Sequence, residues 1–404
     1  MKFRFGQSVY FRHVETILKR YKEIFPAICI TGPRQSGKTT IAKSFFPEKP
    51  YMSLEDPDVR LQAQTDPRGF LQTYSKGAIF DEVQRVPELL SYLQGMIDDD
   101  RNNNGRFILT GSQNFLLIEK ITQSLAGRVG MITLLPMSLA EISQPDRTVE
   151  DKIFYGGYPG LFANQMDPTE FYPSYIQTYL ERDIRQIKNV SDLDSFQKFL
   201  ALCAGRIGQI VNLTSLAQDA QISNTTAKQW LTVLEASYLV FQVTPYFRNF
   251  SKRLVKSPKI YFYDTGLACQ LLKIQKAEQL QTHYLKGGLF ENLAILEVFK
   301  SSCNKGQLQS LHFWRDKTGN EVDLVHDTGG KMISIEIKAS QTFNPDYLKN
   351  LNYLKGLWQV RQDQVQEMLP ILLYSGKTIN KFLGVQVVGI DDWWQNFENL
   401  HTVV

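Results

Sequence analysis

Residues 27–40 read AICITGPRQSGKTT and decide the fold of the first part of this 404-residue chain. Ala27–Thr31 is an apolar run typical of a buried strand, and residues 32–39 then match G-x-x-x-x-G-K-[ST] without a gap. In this pattern glycines let backbone N–H groups curl around phosphate oxygens, and the next helix points its positive end at them. The stretch therefore predicts a strand, a nucleotide-binding loop and a helix. A glycine-rich turn that binds nothing is the alternative.

The loop is predicted to bind ATP. Lys38 is expected to reach its β- and γ-phosphates, and the Thr39 hydroxyl to hold Mg²⁺. The complete set of expected nucleotide-binding residues in the loop is Gly32, Pro33, Arg34, Gln35, Ser36, Gly37, Lys38, Thr39 and Thr40.

A second apolar run supplies the acids that hydrolysis needs. Ala78–Phe80 indicates a buried parallel strand that ends in Asp81 and Glu82, at the edge of the sheet where ligands bind. We expect Asp81 to hold Mg²⁺ through water and Glu82 to polarise the attacking water. Two acids that charge a helix N-terminus are the alternative.

A third apolar run, 107–109, ends in TGSQ, and with it the segment resembles the AAA-type ATPases. The resemblance implies that Ser112 or Thr110 senses the γ-phosphate. It also makes Arg128 a candidate arginine finger, and a finger supplied across a subunit boundary implies a homo-oligomer such as a ring. Alternatively, Arg128 pairs with a carboxylate at a helix end.

The middle of the chain changes character. Residues 146–194 predict a helical lid or connector, and 195–262 give the helix, turn, helix and strand pattern of a winged helix-turn-helix. Exposed positions on its third helix are Asn224, Thr226, Lys228 and Gln229. A basic, aromatic stretch follows, with Arg248, Lys252, Arg253, Lys256 and Lys259. It favours a DNA backbone as partner, and a protein contact or a solvated edge strand is the alternative.

The last third combines a helix with three strands. Glu291 shares the apolar helix face of Ile295 and Val298, whereas Glu297 is expected to face solvent. Strands at 311–315, 321–326 and 332–339 bring Asp323 close to Glu336, and Lys338 shares the face of Glu336. Carboxylates in this arrangement hold Mg²⁺. Lys338 can orient or deprotonate a water and offset charge in the transition state.

These residues resemble the motif of the PD-(D/E)XK nuclease superfamily. Its helix acid matches Glu291, its hairpin acid matches Asp323, and its E-x-K matches Glu336-Ile337-Lys338. No proline precedes Asp323, which departs from the motif, and Glu321 could be an extra ligand. The resemblance implies that Glu291, Asp323 and Glu336 are metal ligands and, with Lys338, catalytic residues.

The order of motifs along the whole chain resembles a prokaryotic family of AAA-type ATPases with a nuclease-like C-terminal domain. It implies an α/β multidomain protein. The expected units are a parallel-sheet P-loop ATPase (1–145), the connector (146–194), the winged helix (195–262) and a restriction-endonuclease-like α/β/α domain (263–404).

Composition sets the class of protein. Hydrophobic residues at 43% and charged residues at 21% describe a soluble globular chain, and the net charge of +4 is too mild to indicate nucleic-acid binding by itself. We find no apolar run long enough to cross a bilayer and no signal peptide. Four scattered cysteines suit a reducing cytoplasm.

The expected function, which the resemblance implies, is an ATP-hydrolysing DNA nuclease that depends on Mg²⁺ or Mn²⁺ and acts as an exonuclease in DNA processing or repair. The alternative is a signalling or scaffold ATPase whose last domain binds a partner or DNA without cleavage.

Overall fold

The computed structural model describes most of the chain: residues 2–4, 7–112, 121, 123–144, 146–180, 192–246, 257–307, 311–327, 331–359 and 367–393. Side chains are described for these residues except 2–9, 179 and 180. Arg248, Lys252, Arg253 and Lys256 of the predicted basic stretch lie outside the described residues.

A parallel sheet forms the N-terminal unit. An antiparallel pair precedes it, β1 (Lys2–Arg4) and β2 (Gln7–Val9). The strands of the sheet are β3 (Ala27–Gly32), β4 (Tyr51–Ser53), β5 (Ala78–Asp81), β6 (Phe107–Ser112) and β7 (Val129–Thr133). They are arranged in the order β4-β5-β6-β3-β7, and all the pairings are parallel. The predicted P-loop ATPase fold is confirmed here.

The helices of this unit lie between its strands. They are α1 (Glu15–Ile24), α2 (Lys38–Phe45), α3 (Pro57–Thr65), α4 (Pro67–Thr73) and α5 (Leu89–Asp98), with a 3₁₀ turn at Val83–Arg85. Every residue of β3 is buried, as expected for a central parallel strand with both faces covered. The loop of residues 32–37 therefore begins at the C-terminal end of an inner strand of the sheet.

Short helices follow the sheet. They are α6 (Leu139–Ile142), α7 (Val149–Tyr155), α8 (Pro159–Ala163) and α9 (Pro168–Tyr175), followed by a π-helical turn at Ile176–Leu180. Phe171, Tyr172 and Tyr175 are buried, as the spacing of Tyr172 and Tyr175 predicts, whereas the side chain of Tyr179, which continues this spacing, lies outside the described residues. The buried carboxylate of Asp264 accepts hydrogen bonds from Tyr172 Oη (2.6 Å) and Gly157 N (2.8 Å), which ties these helices to the C-terminal half.

Three helices and two strands make up the next segment: α10 (Leu193–Ala204), α11 (Leu213–Ala220), α12 (Asn224–Ala236), β8 (Val240–Pro245) and β9 (Lys259–Phe262). The side chain of Ser223 caps α12, and its Oγ lies 3.0 Å from Thr226 N. Trp230, Leu231 and Leu234 are buried, which leaves the opposite face of α12 in solvent.

A mixed sheet of eight described strands forms the C-terminal part, in the order β14-β15-β13-β12-β11-β10-β8-β9. Its further strands are β10 (Leu311–Arg315), β11 (Glu321–Asp327), β12 (Lys331–Lys338), β13 (Glu367–Tyr374), β14 (Asn380–Phe382) and β15 (Val385–Gly389). Because β8 pairs with β10, the sheet continues across the boundary that the sequence suggests at 262/263.

Helices lie on both faces of this sheet. They are α13 (Thr265–Leu271), α14 (Lys286–Asn304) and α15 (Lys349–Gln359), with 3₁₀ turns at Ala277–Gln281 and Pro345–Leu348. Leu289 and Leu293 of α14 pack with Leu324 and Ile335, whereas α15 packs with the other face.

The exposure predicted for Glu297 is wrong. Its residue is 7% exposed, its Oε1 pairs with Lys300 Nζ at 2.9 Å, and its Oε2 accepts from Leu139 N at 2.8 Å. The cause is that α14 also packs against the N-terminal unit, so a second face of this helix is buried.

The part of the chain that the structure describes contains no disulfide. None of the helices there combines the length and apolar character needed to cross a bilayer. Cys29, Cys203, Cys269 and Cys303 are all free thiols.

Candidate functional site

The loop after β3 adopts the backbone that its glycines allow. Gly37 has a φ of +95°, and a Cβ at Gly32 would lie 2.1 Å from Leu134 O, so a side chain has no room there. The ammonium group of Lys38 donates to Gly32 O (3.1 Å) and Pro33 O (2.7 Å) and is buried. Lys38 therefore lies across its own loop, bonded to neutral acceptors.

The residues predicted to hold Mg²⁺ lie side by side. Thr39 Oγ1 is 3.2 Å from Asp81 Oδ1 and 3.1 Å from Asp81 Oδ2. Tyr51 Oη donates to Asp81 Oδ2 at 2.7 Å, and Thr110 donates a short hydrogen bond to Asp81 Oδ1. A hydroxyl and a carboxylate at adjoining strand ends are the oxygen ligands that Mg²⁺ uses in P-loop proteins, so the residues present fit this ion.

The predicted water-polarising acid and γ-phosphate sensor are linked by Gln84. The Gln84 Nε2 group donates to Glu82 Oε2 and, at 3.0 Å, to Ser112 Oγ. Glu82 itself has a φ of +56°, a left-handed conformation that non-glycine residues adopt rarely and often at functional sites. Gln84 therefore holds Glu82 and Ser112 in one hydrogen-bonded group.

Arg12 supports the loop from behind. Its Nη1 donates to Ser36 O (2.9 Å), its Nη2 donates to Leu135 O (2.7 Å), and its Nε pairs with Glu141 Oε1 (3.1 Å). Both side chains of this ion pair are buried. No sequence motif marks Arg12, because its partners are distant in the chain.

A cleft of about 510 Å³ opens beside the loop. Its lining includes Arg34, Gln35, Gly37, Lys38, Thr39, Thr40 and Glu82 from the N-terminal unit. Residues from α8 and α9, among them Ala163, Phe171 and Tyr175, form the opposite wall. The segment predicted as a lid or connector therefore completes the nucleotide-sized cleft.

Arg128 lies away from this cleft in its own chain. It precedes β7, at the N-terminal edge of the sheet, whereas the phosphate-binding loop leaves the C-terminal edge. Its Nε and Nη2 contact the two oxygens of Asp98, the last residue of α5, at 2.7 and 2.9 Å. This is the second of the two alternatives that the sequence leaves open, a pair with a carboxylate at a helix end.

The residues predicted for a nuclease site also come together. Leu324 pairs with Ile335 across β11 and β12, which puts Asp323 beside Glu336. Lys338 Nζ is 2.6 Å from Glu336 Oε1 and 4.0 Å from Asp323 Oδ2. Glu291 and Glu321 join them through Lys259. We call Glu291, Glu321, Asp323 and Glu336 the carboxylate cluster.

Lys259 corrects one prediction. Its side chain is only 3% exposed, so it is no part of a solvated basic surface. The Lys259 Nζ atom is 2.9 Å from Glu291 Oε1, 2.5 Å from Glu321 Oε1 and 3.6 Å from Asp323 Oδ1. Because Lys259 begins β9 beside α14, the fold carries it into the carboxylate cluster.

Charge and burial set the protonation of this group. Burial alone would lower the pKa of Lys259, but Glu291, Asp323 and Glu321 raise it above its ordinary value, so Lys259 is a cation. Burial and the nearby Asp323 raise the pKa of Glu336 and of Glu291, although the nearest lysine lowers the pKa of each. Burial would lower the pKa of Lys338, but Asp323 and Glu336 raise it above its ordinary value. Lys338 is therefore suited to offset negative charge and not to deprotonate a water.

The cluster has the donor chemistry of a divalent-metal site but not its arrangement. One oxygen, Glu336 Oε2, is buried without a hydrogen-bond partner, as expected of an atom that awaits a ligand. Within the described residues, however, no three side chains among His, Cys, Asp and Glu are arranged to hold one metal ion. An ammonium group stands among the carboxylates instead.

Known protein families divide the chain into three. A model described as an AAA domain matches residues 25–143. Models described as domains of unknown function, DUF8612 and DUF4143, match residues 146–278 and 286–393.

Similar proteins occur in distant organisms. The uncharacterized protein Rv2008c of Mycobacterium tuberculosis is 30% identical over 329 residues, which is 80% of this chain and 73% of the relative. An uncharacterized protein of Haemophilus influenzae is 21% identical over 309 residues, 72% of this chain and 71% of the relative. The solved Walker-type ATPase PABY2304 of Pyrococcus abyssi is 17% identical with a TM-score of 0.47, over 65% of this chain and 96% of that one.

Proposed function

The chain belongs to the family of Rv2008c from Mycobacterium tuberculosis, and from this premise we propose that it hydrolyses ATP and acts on DNA. The chain carries an AAA-type P-loop ATPase domain. The observation that supports hydrolysis best is the contact of Thr39 Oγ1 with both oxygens of Asp81, at 3.2 and 3.1 Å. This contact brings the Thr39 hydroxyl and the Asp81 carboxylate, which are both proposed Mg²⁺ ligands, to the same place.

Each proposed residue of the cleft has a separate role in hydrolysis. Lys38 exchanges its two carbonyl acceptors for phosphate oxygens, which bind a cation more strongly. Thr39 and Asp81 would hold Mg²⁺, which would neutralise phosphate charge. Glu82 orients the attacking water, and Ser112 reports the γ-phosphate to Glu82 through Gln84.

Replacement of Lys38 tests the ATPase. We expect Lys38→Ala to lower ATP turnover by about 10²–10³-fold, because the phosphates lose their main cation. The matched control is Lys76→Ala, at an exposed lysine away from the cleft, and it should retain wild-type turnover. Turnover that survives in Lys38→Ala would show that the loop does not bind the reacting phosphates.

DNA is the proposed partner, and the three helices α10 to α12 with β8 and β9 are the proposed winged helix. Asn224, Lys228 and Gln229 are exposed on one face of α12, where they can contact phosphates or bases. Thr226 of the same predicted set is half-buried beneath the cap from Ser223. A Lys228→Glu variant should weaken binding to a labelled duplex, measured by fluorescence anisotropy. Unchanged anisotropy would remove α12 from the DNA surface.

A metal-dependent DNA nuclease, acting as an exonuclease in processing or repair, is the proposed second activity. It is supported by the approach of Glu291, Asp323, Glu336 and Lys338 from three separate elements, and by the unpartnered Glu336 Oε2. These acids would hold Mg²⁺ or Mn²⁺, which activates a water and polarises the scissile phosphate. Lys338 would offset charge on that phosphate.

The rival is an ATPase whose C-terminal half binds DNA or a protein without cleavage, and Lys259 within the cluster favours it. Labelled single-stranded DNA, duplex DNA and RNA, each with Mg²⁺ or Mn²⁺ and with or without ATP, separate the two. Degradation that disappears in Asp323→Ala, while ATP turnover remains, supports the nuclease. No degradation of any substrate by the wild type supports the rival.

A homo-oligomer such as a ring is proposed from the AAA-type domain, and the cytoplasm from the four free thiols. Light scattering with gel filtration, with and without a non-hydrolysable ATP analogue, measures the assembly. A monomer under both conditions would exclude the ring.

A further inference from the structure

The carboxylate cluster already contains a cation. The Lys259 Nζ atom contacts oxygens of Glu291, Glu321 and Asp323 at 2.9, 2.5 and 3.6 Å. Tyr261 Oη also donates to Glu291 Oε1 at 2.5 Å. Three carboxylates from α14 and β11 thus converge on the ammonium group of a lysine whose side chain is 3% exposed.

Charge balance explains why this ammonium matters. Four carboxylates face the cations Lys259, Lys338 and Arg315, the last of which pairs with Glu321 Oε2 at 2.9 Å. With all of these groups ionised, the cluster carries one net negative charge. Without Lys259 it would carry two, which is the charge that one divalent cation neutralises.

The two cations cannot share the same oxygens. A divalent ion needs carboxylate oxygens at about 2.0–2.6 Å, which would bring it into contact with Nζ and against a like charge. Lys259 contacts one oxygen each of Glu291, Glu321 and Asp323. Glu336 Oε2 is buried without a hydrogen-bond partner. The geometry is therefore complete for an ammonium group and incomplete for a metal ion.

We propose that Lys259 is a built-in counter-ion that keeps divalent cations out of the carboxylate cluster, so that a metal ion binds there only when Lys259 is displaced. This inference rests on the proposed metal site and names the residue that controls it. It makes Lys259 a positioning residue of β9, and it makes the metal-free cluster the resting state of the chain.

Manganese binding to the full, nucleotide-free chain tests the proposal, with free Mn²⁺ followed by electron paramagnetic resonance. Wild type and Asp323→Asn should bind Mn²⁺ alike, because the cluster is closed in both. Lys259→Met should bind one further ion, at least about tenfold tighter than any cluster site of the wild type. The double variant Lys259→Met with Asp323→Asn should lose that ion.

Lys259→Arg is the matched control. It keeps the positive charge, so it should bind Mn²⁺ as the wild type does. If the Lys259→Met chain does not fold without metal because its buried acids repel one another, Mn²⁺ should restore its folding. Circular dichroism measures this, and restored folding also supports the proposal. A chain that Mn²⁺ does not restore, or a folded one that gains no ion, overturns it.

The wild type alone can also overturn the proposal. An Mn²⁺ site in the wild type that Asp323→Asn removes would show that Lys259 does not exclude the metal. Failure of the nuclease hypothesis is a separate result: Lys259→Met would then bind Mn²⁺ in the cluster and still leave all the labelled substrates intact.

Discussion

The phosphate-binding loop and the carboxylate cluster each surround a buried lysine, and the partners of the two lysines differ. Lys38 binds two neutral carbonyl oxygens, whereas Lys259 binds three carboxylates. An ammonium group is attracted more strongly by a carboxylate, which carries a full negative charge, than by a neutral carbonyl oxygen. Lys259 therefore leaves its position only against strong electrostatic attraction. The first site is ready for an anion, and the second is closed to cations.

The contrast also appears in access to solvent. The loop lines a cleft of about 510 Å³, with one wall from the sheet and the other from α8 and α9. In the cluster, Asp323 and Glu336 are 7% and 3% exposed. An open cleft suits a site that exchanges nucleotide in each cycle.

Removal of the charge of Glu82 should give the largest effect on the cleft beside the phosphate-binding loop. We expect Glu82→Gln to lower ATP turnover by about 10²–10⁴-fold, because the attacking water loses its general base or orienting acid. Binding of ATP should remain, since Lys38 and Thr39 are unchanged. Steady-state phosphate release and equilibrium binding of a fluorescent ATP analogue measure the two separately. Glu88→Gln, at an exposed glutamate nearby, is the control.

Replacement of Arg12 tests how far the phosphate-binding loop depends on the buried ion pair between Arg12 and Glu141. Arg12→Met should lower the free energy of unfolding by about 3–5 kcal/mol, because it leaves the buried Glu141 carboxylate without its cation. Arg20→Met, at an exposed arginine of α1, should change it by less than about 0.5 kcal/mol. Urea unfolding measures both. Equal stability of the two variants would show that the Arg12–Glu141 pair does not support the loop.

Replacement of Tyr261 tests the carboxylate cluster, and its expected effect on stability is smaller. Tyr261→Phe removes the hydrogen bond to Glu291 Oε1 and leaves Lys259 in place. A buried hydrogen bond to a charged acceptor contributes about 1.5–3 kcal/mol, so we expect a loss of that size in urea unfolding. Tyr263→Phe, two residues along the chain and also buried, is the matched control and should cost less. Equal losses would mean that Glu291 does not need this donor.

The sequence was sufficient for the parts of the fold whose signals are local. The strand, loop and helix around residues 27–45 and the strand ending in Asp81 are contiguous patterns, so their geometry follows from a few neighbouring residues. The strands of residues 311–338 were also predicted within about one residue of their observed ends, because alternation and turn residues bound them.

Residues whose environment depends on long-range packing could not be placed in this way. Lys259 follows other cations, a pattern that predicts a basic surface, yet a strand pairing and α14 bury it. The sequence pattern of α14 predicts one buried face and therefore a solvent-facing Glu297, but this helix packs on more than one side. Arg12 reaches Leu135, 123 residues away, and no local pattern reports such a contact.

The pair of Arg128 and Asp98, at the N-terminal edge of the first sheet, gives the smallest expected effect on stability. The hydrogen bond from Arg128 lowers the pKa of Asp98 from 3.8 to about 2. A carboxyl with a lowered pKa in the folded state adds stability above the unfolded value and loses it as pH falls through the folded one. The stability that Asp98 adds should therefore be complete above about pH 4 and disappear toward pH 2. Urea unfolding of wild type and Asp98→Asn across this range measures it, and curves that stay parallel would contradict the pairing.

Arg128→Gln extends the same test to catalysis. If Arg128 serves only the pair with Asp98, ATP turnover should stay within about twofold of wild type at any protein concentration, whereas loss of an arginine finger costs about 10³–10⁵-fold. A large loss would mean that Arg128 leaves Asp98 to reach the cleft of a neighbouring subunit. Retained turnover would mean that the cations which serve the phosphates come from the loop side of the sheet, where Lys38 and Arg34 line the cleft.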